Sequence, residues 1–123
     1  MAATIQFFLQ LRNQLKLYHW QTRVFARHMA TDKILEELDE SIDKYVEVMI
    51  GKMGTRPKLM GDNAVIRLQN LTEAGATRMV RAAMKYLQGP LTRTLRPTDT
   101  DLINIRDEIM GQLDQLLYLF SLH

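Results

Sequence analysis

"VFARHMATDKILEELDESIDKYVEVMIGKMG", residues 24–54, is the stretch that decides the fold. Leu35, Leu38, Ile42, Tyr45, Val46, Met49 and Met53 recur at steps of three and four, the period of a helix with one buried face. The pattern predicts a helix over Val24–Met53. Gly54 is placed to end it, and Pro57 follows closely. A second stripe runs along the same helix. At about 100° per residue, His28, Asp32, Glu36, Asp39, Asp43 and Glu47 fall within an arc of roughly 100°. This stripe borders the apolar one, so its carboxylates are expected to be partly buried, and a buried anion needs a compensating partner. A cation is one such partner.

Working outward, helical periodicity continues and no segment alternates with period two. A first helix is predicted over Thr4–Trp20, with Ile5, Phe8, Leu11, Leu15 and Tyr18 facing a core. Residues 55–62 read as a loop, and "NAVIRLQNL" (63–71) as a short helix with Asp62 as its N-cap. A third helix is predicted over Ala76–Gln88, with Val80, Ala83, Met84 and Leu87 inward and Arg78, Arg81 and Lys85 outward. Gly89-Pro90 breaks or kinks it. After the connection "LTRTLRPTDT", Thr98 with Asp101 resembles a capping box for a last helix running to the C-terminus. Leu102, Ile105, Ile109, Leu113, Leu116, Leu117 and Phe120 form its inward face. The expected fold is a single all-α domain over residues 1–123: a four-helix bundle with a short helix in a long crossover, the ferritin-like arrangement.

The composition narrows the function. The chain of 123 residues has no cysteine, which excludes disulfides and thiolate metal sites. Its apolar runs are too short to cross a membrane. Gln6, Gln10 and Arg12 interrupt the first apolar stretch, so it does not read as a signal peptide, and the cytoplasm (a host cell's, for a virus- or phage-encoded chain) is the expected compartment. The net charge is only +2, yet residues 51–97 carry nine Lys or Arg against two acids. That segregation allows an anion- or DNA-contacting surface, with Arg78, Arg81 and Lys85 as candidates, although no aromatic residues interleave them.

The histidine and acid stripe carries the chemistry. Imidazole with carboxylate suits iron or zinc. His28 and Glu47 are 19 residues apart, about 28 Å along a helix axis, so the two ends of the stripe must serve different sites or meet through symmetry. An antiparallel two-fold pairing of the helix would bring the His28 end of one chain to the Glu47 end of another. A metal site shared between subunits is the expectation.

"HW" at His19-Trp20, then His28, Asp32, Asp43 and Glu47, resembles the signature of the Dps miniferritins of the ferritin-like superfamily. The spacings His28 to Asp32, Asp32 to Asp43 and Asp43 to Glu47 all match that pattern. The chain is more similar still to a ferritin-like family of unknown function from large DNA viruses and phages, through the "HWQT" run and the "DLINIRDE" start of the last helix. The resemblance implies a homo-oligomer, usually a dodecamer built from two-fold dimers, that oxidises Fe(II) with peroxide or oxygen and sequesters the product, limiting oxidative damage. It implies His19, His28 and Asp32 as ligands from one subunit and Asp43 and Glu47 from its mate, with zinc as a surrogate ion. Trp20 would lie beside the site, and Glu36 and Asp39 would support the ligands. The His19-to-His28 interval is three residues shorter than usual in that family. The turn between the first two helices must therefore be tighter, which leaves the reach of His19 open. The bundle-core Glu-x-x-His motif of di-iron proteins is absent, because none of His19, His28 and His123 has Glu three positions earlier. The alternative reading is a non-catalytic ferritin-like oligomer that holds DNA or an acidic partner through residues 51–97.

Overall fold

The structure, a computed structural model, describes residues 1–122; His123 lies outside them. Four α-helices make up most of it: α1 (Ala2–Gln21), α2 (Phe25–Met53), α3 (Glu73–Tyr86) and α4 (Thr100–Phe120). No strand occurs among the described residues. α2 packs along α4 and against α1, while α3 packs against α4 and α1, which closes the ring. The apolar stripes meet in one cluster, where Phe8, Leu15, Tyr18, Ile34, Leu38, Tyr45, Ile109, Leu113 and Leu116 are almost fully buried. Each such leucine shortened to alanine costs about 2–5 kcal/mol. The predicted inward faces hold with two exceptions on α2. Met53 projects into solvent, and Ile34, absent from the expected stripe, is completely buried.

The helix ends follow local chemistry. α1 stops at Thr22, whose backbone turns extended and whose N–H still donates to Tyr18 O at 2.8 Å. α2 stops at Gly54, which adopts φ 72°, a left-handed conformation open to glycine, and donates to Ile50 O. α3 begins three residues earlier than its apolar pattern suggested, because Thr72 caps it by accepting from Gly75 N–H at 3.0 Å. Gly89-Pro90 does not end the helical path. A π-helical turn, Leu87–Leu91, carries Pro90 onward into a 3-10 turn at Thr92–Thr94. The wider turn gives the proline ring room away from the carbonyl it would otherwise strike, and Thr92 Oγ1 donates to Leu87 O at 2.6 Å.

Two local expectations are corrected. The Thr98–Asp101 capping box does not form: Asp99 is the N-cap of α4 without a side-chain cap bond, and its Oδ2 accepts from Arg96 N–H instead. Asp101 accepts from Leu102 N–H. Lys52, near the end of α2, bridges Asp99 at 3.3 Å and Asp101 at 3.0 Å.

The second correction concerns the crossover. Only Gly61–Ala64 turns, as a single 3-10 turn, and Asp62 is not its cap. The residues after it run extended along α1 as a strap. Gln6 donates to Asp62 O and Val65 O, Gln10 exchanges bonds with both backbone groups of Arg67, and Gln14 exchanges bonds with both of Gln69 at 2.7 and 2.9 Å. One turn of helix advances about 6 Å over four residues, and two extended residues advance about 6.6 Å. Glutamines spaced by four on α1 therefore meet every second residue of the strap, and their amides replace a partner strand. Left without them, the strap's peptide groups would face the helix unpaired.

Candidate metal centre

The three-residue turn Thr22–Val24 brings the last turn of α1 against the first turn of α2. His19 and His28 meet there, with rings stacked 3.9 Å apart and 15° from parallel. Their bonds are reciprocal. His19 Nδ1 lies 2.9 Å from His28 O, and His28 Nδ1 lies 2.9 Å from His19 O. A carbonyl oxygen only accepts, so both Nδ1 atoms carry hydrogen. In the neutral ring each Nε2 is then an unprotonated lone-pair donor, the tautomer of a metal-ligating imidazole whose other nitrogen is anchored. Thr31 adds to the anchoring. Its hydroxyl donates to Arg27 O at 2.8 Å and accepts from His19 Nδ1 at 2.8 Å.

His19 is 6% exposed, yet its Nε2 is not sealed; among the described residues only Gln112 Oε1 is a buried side-chain polar atom without a partner. Burial holds the His19 imidazole below its ordinary pKa, with further lowering from His28 and Lys16 and opposition from Asp32. The ring is therefore neutral at pH 7. The short turn does not keep His19 away; it stacks His19 on His28. The stack has a geometric consequence. An ion about 2.1 Å from a ring nitrogen lies near that ring's plane. Two nearly parallel rings cannot both aim at one ion, so chelation by both requires one ring to turn out of the stack.

A clamp fixes this turn from the other side. Glu73, in the first turn of α3, accepts from Tyr18 Oη at 2.9 Å and from Thr22 Oγ1 at 2.9 Å. Arg27 donates to Tyr18 Oη and to Glu73 O, and its guanidinium lies 4.4 Å from the centre of the Phe120 ring. Burial raises the Tyr18 phenol above its ordinary pKa, while the hydrogen bonds from Thr22 and Arg27 pull the other way. None of this clamp was singled out from the sequence. Glu73 lies 46 to 55 residues from Arg27, Thr22 and Tyr18, and no local pattern links it to them.

The acids are placed differently. Asp32, one turn beyond His28, is exposed, as are Glu36, Asp43 and Glu47. The expected partial burial of the stripe is not found, because the core lies on the Ile34–Leu38–Tyr45 face and the stripe turns away from it. Asp39 has a partner of its own: Arg12 Nε and Nη2 grip both its carboxylate oxygens, at 2.9 and 3.3 Å. Glu47 is 15 residues beyond Asp32, about 22 Å along α2. Among the described residues no three His, Asp or Glu side chains of one chain converge to hold an ion. Trp20, which follows His19 at the end of α1, is 68% exposed, with Lys16 Nζ 5.3 Å from its ring centre. Phe25 and Met29 are also exposed, at 75% and 51%, so the histidine end of the molecule carries a substantial apolar surface.

Fold and site define an all-α protein with paired, anchored imidazoles at one end of a long acidic helix. Residues 19–120 match a family described as a family of unknown function, DUF5856, and the chain belongs to that family. No curated protein and no solved structure matches it. No helix among the described residues is long and apolar enough to cross a membrane.

Proposed function

We propose that the protein is a ferritin-like, miniferritin-type oligomer that binds Fe(II) at sites shared between paired copies and oxidises it there. The observation that supports this best is the reciprocal anchoring of His19 and His28 through Nδ1, which leaves their Nε2 atoms as lone-pair donors in the neutral rings, with the exposed Asp32 one turn beyond His28 on α2. In an antiparallel pair, the exposed Asp43 and Glu47 of a second copy supply the carboxylates that the histidine end lacks. Imidazole and carboxylate together hold Fe(II) as substrate and favour the Fe(III) product, whose higher charge gains more from anionic oxygen ligands. With hydrogen peroxide as oxidant, two Fe(II) ions each give one electron. The O–O bond breaks, and two protons complete two water molecules. Neutral His19 is available to the ion at pH 7 without first losing a proton.

The test uses purified protein, Fe(II) and peroxide. The wild-type chain should oxidise iron faster than buffer, and Asp43→Ala with Glu47→Ala should return the rate to the buffer value while the assembly keeps its mass. A double variant as fast as wild type would end the catalytic reading. One observation favours a second reading, a non-catalytic oligomer that holds DNA or another polyanion. Arg78, Arg81 and Lys85 are all exposed on α3 and none is paired with an acid among the described residues. That reading predicts DNA binding that weakens steeply with salt, in a chain purified without iron.

A further inference from the structure

We propose that the open groove between α1, α3 and the strap is a binding site for a small amphipathic monoanion, with its apolar body against the groove floor and its charge at Arg67. The groove has a volume of about 300 Å3, at the lower end of the range for small-molecule sites. Its floor and walls are apolar, built from Phe7, Leu11, Met79, Ala83 and Tyr86. Phe7 and Tyr86 stack face to face with ring centres 4.0 Å apart, which joins α1 to α3 at the groove. No acidic side chain lines the groove. The charge in its lining is Arg67, which is exposed and pairs with no carboxylate among the described residues.

The strap is what makes this a site. Arg67 sits on irregular chain, which alone would leave its guanidinium without a fixed base. Gln10 binds both its N–H and its C=O, and Gln14 does the same for Gln69 two residues on. These bonds occupy the amides of Gln10 and Gln14, which line the groove together with Gln69. The remaining lining is therefore suited to hydrocarbon or an aromatic ring, and a guanidinium within it is suited to a carboxylate or sulfonate. Burial raises the Tyr86 phenol above its ordinary pKa, so no negative charge arises there at neutral pH to oppose an anion. The site shares no residue with the histidine pair or the acidic stripe, and its test does not depend on iron.

Anilinonaphthalene sulfonate, an apolar ring system with one negative charge, is the fluorescent probe, with octanoate and octanol as competitors against the full chain. Octanoate should displace the probe from wild-type protein. Arg67→Gln should weaken octanoate about tenfold and leave octanol nearly unchanged. Ala82→Phe, at an exposed lining position, should fill the groove and remove both. Failure of octanoate to displace the probe, or equal octanoate affinity in Arg67→Gln and wild type, overturns the proposal. Should Ala82→Phe lose its cooperative melt, octanoate titration of the Met79 and Ala83 methyl resonances in the wild-type chain decides. Saturable shifts uphold the site, and unmoved resonances overturn it.

Discussion

The two ends of α2 are built on opposite principles. At its first turn the polar side chains find partners within the chain: His19 with His28 and Thr31, Arg27 with Tyr18, and Glu73 with Tyr18 and Thr22. Toward its other end Asp43 and Glu47 stand in solvent with no hydrogen bond or ion pair among the described residues, and Asp39, Asp43 and Glu47 follow one another at steps of four. Like charges at that spacing destabilise a helix by about 0.2–0.5 kcal/mol per pair. The first end is held by bonds within the chain, and one ring must leave the stack for both to reach a common ion. In the second, Arg12 relieves Asp39, while Asp43 and Glu47 have no hydrogen bond or ion pair among the described residues. Under the proposed antiparallel pairing, the imidazoles of one copy would meet the unpaired acids of the other.

Breaking the organised end at its centre should have the largest effect. His28→Ala removes one Nε2 donor and the Nδ1–H that donates to His19 O, while the backbone carbonyl that accepts from His19 remains. Fe(II) affinity measured by titration should fall on the order of a hundredfold or more, since loss of supporting bonds alone costs ten- to a hundredfold. Next is the clamp. Glu73→Ala leaves Tyr18 and Thr22 without their acceptor, and chemical denaturation should show a loss of about 2 kcal/mol. The strap is weaker because it is exposed. Gln14→Ala should cost about 1 kcal/mol, and hydrogen exchange should quicken at Gln69 before the rest of the molecule.

The smallest effect is in acid and isolates His19. Its folded pKa lies below the ordinary 6.5, so between the two values the unfolded chain binds more protons than the folded one. The stability from this group is complete above pH 6.5 and is lost as pH falls through that value toward the folded pKa. Melting temperature should therefore drop from pH 7.5 to 5, and His19→Asn should flatten that slope. A wild-type chain with no pH dependence in this window would remove the case for a desolvated, neutral His19.

Much of this contrast was legible in the sequence. The three-four periodicity of Ile5 to Tyr18, of Leu35 to Met49 and of Leu102 to Phe120 located three long helices, and Gly54 ended the second as expected. The candidate ligands were legible too, since His28, Asp32, Asp43 and Glu47 share one face by arithmetic alone. The extended strap was not. Val65, Ile66 and Leu68 mimic a helical pattern, and the signal against a helix lay some 55 residues away in the glutamines of α1. The clamp of Glu73, Tyr18 and Arg27 was hidden for the same reason: partners joined only by the fold leave no trace in local spacing. The burial of the acids was misjudged because a stripe bordering the core can turn to either side of that border.

The claim that the two ends of α2 act together across two chains has a direct test by complementation. One variant lacks the histidines (His19→Ala with His28→Ala), and the other lacks the acids (Asp43→Ala with Glu47→Ala). Each alone should oxidise Fe(II) no faster than buffer. Co-expressed in equal amounts, random pairing makes half the pairs mixed, and each mixed pair regains one intact site of two. The account predicts recovery to about a quarter of the wild-type rate per chain. A mixture that stays at the buffer rate, while wild type is active, would contradict it.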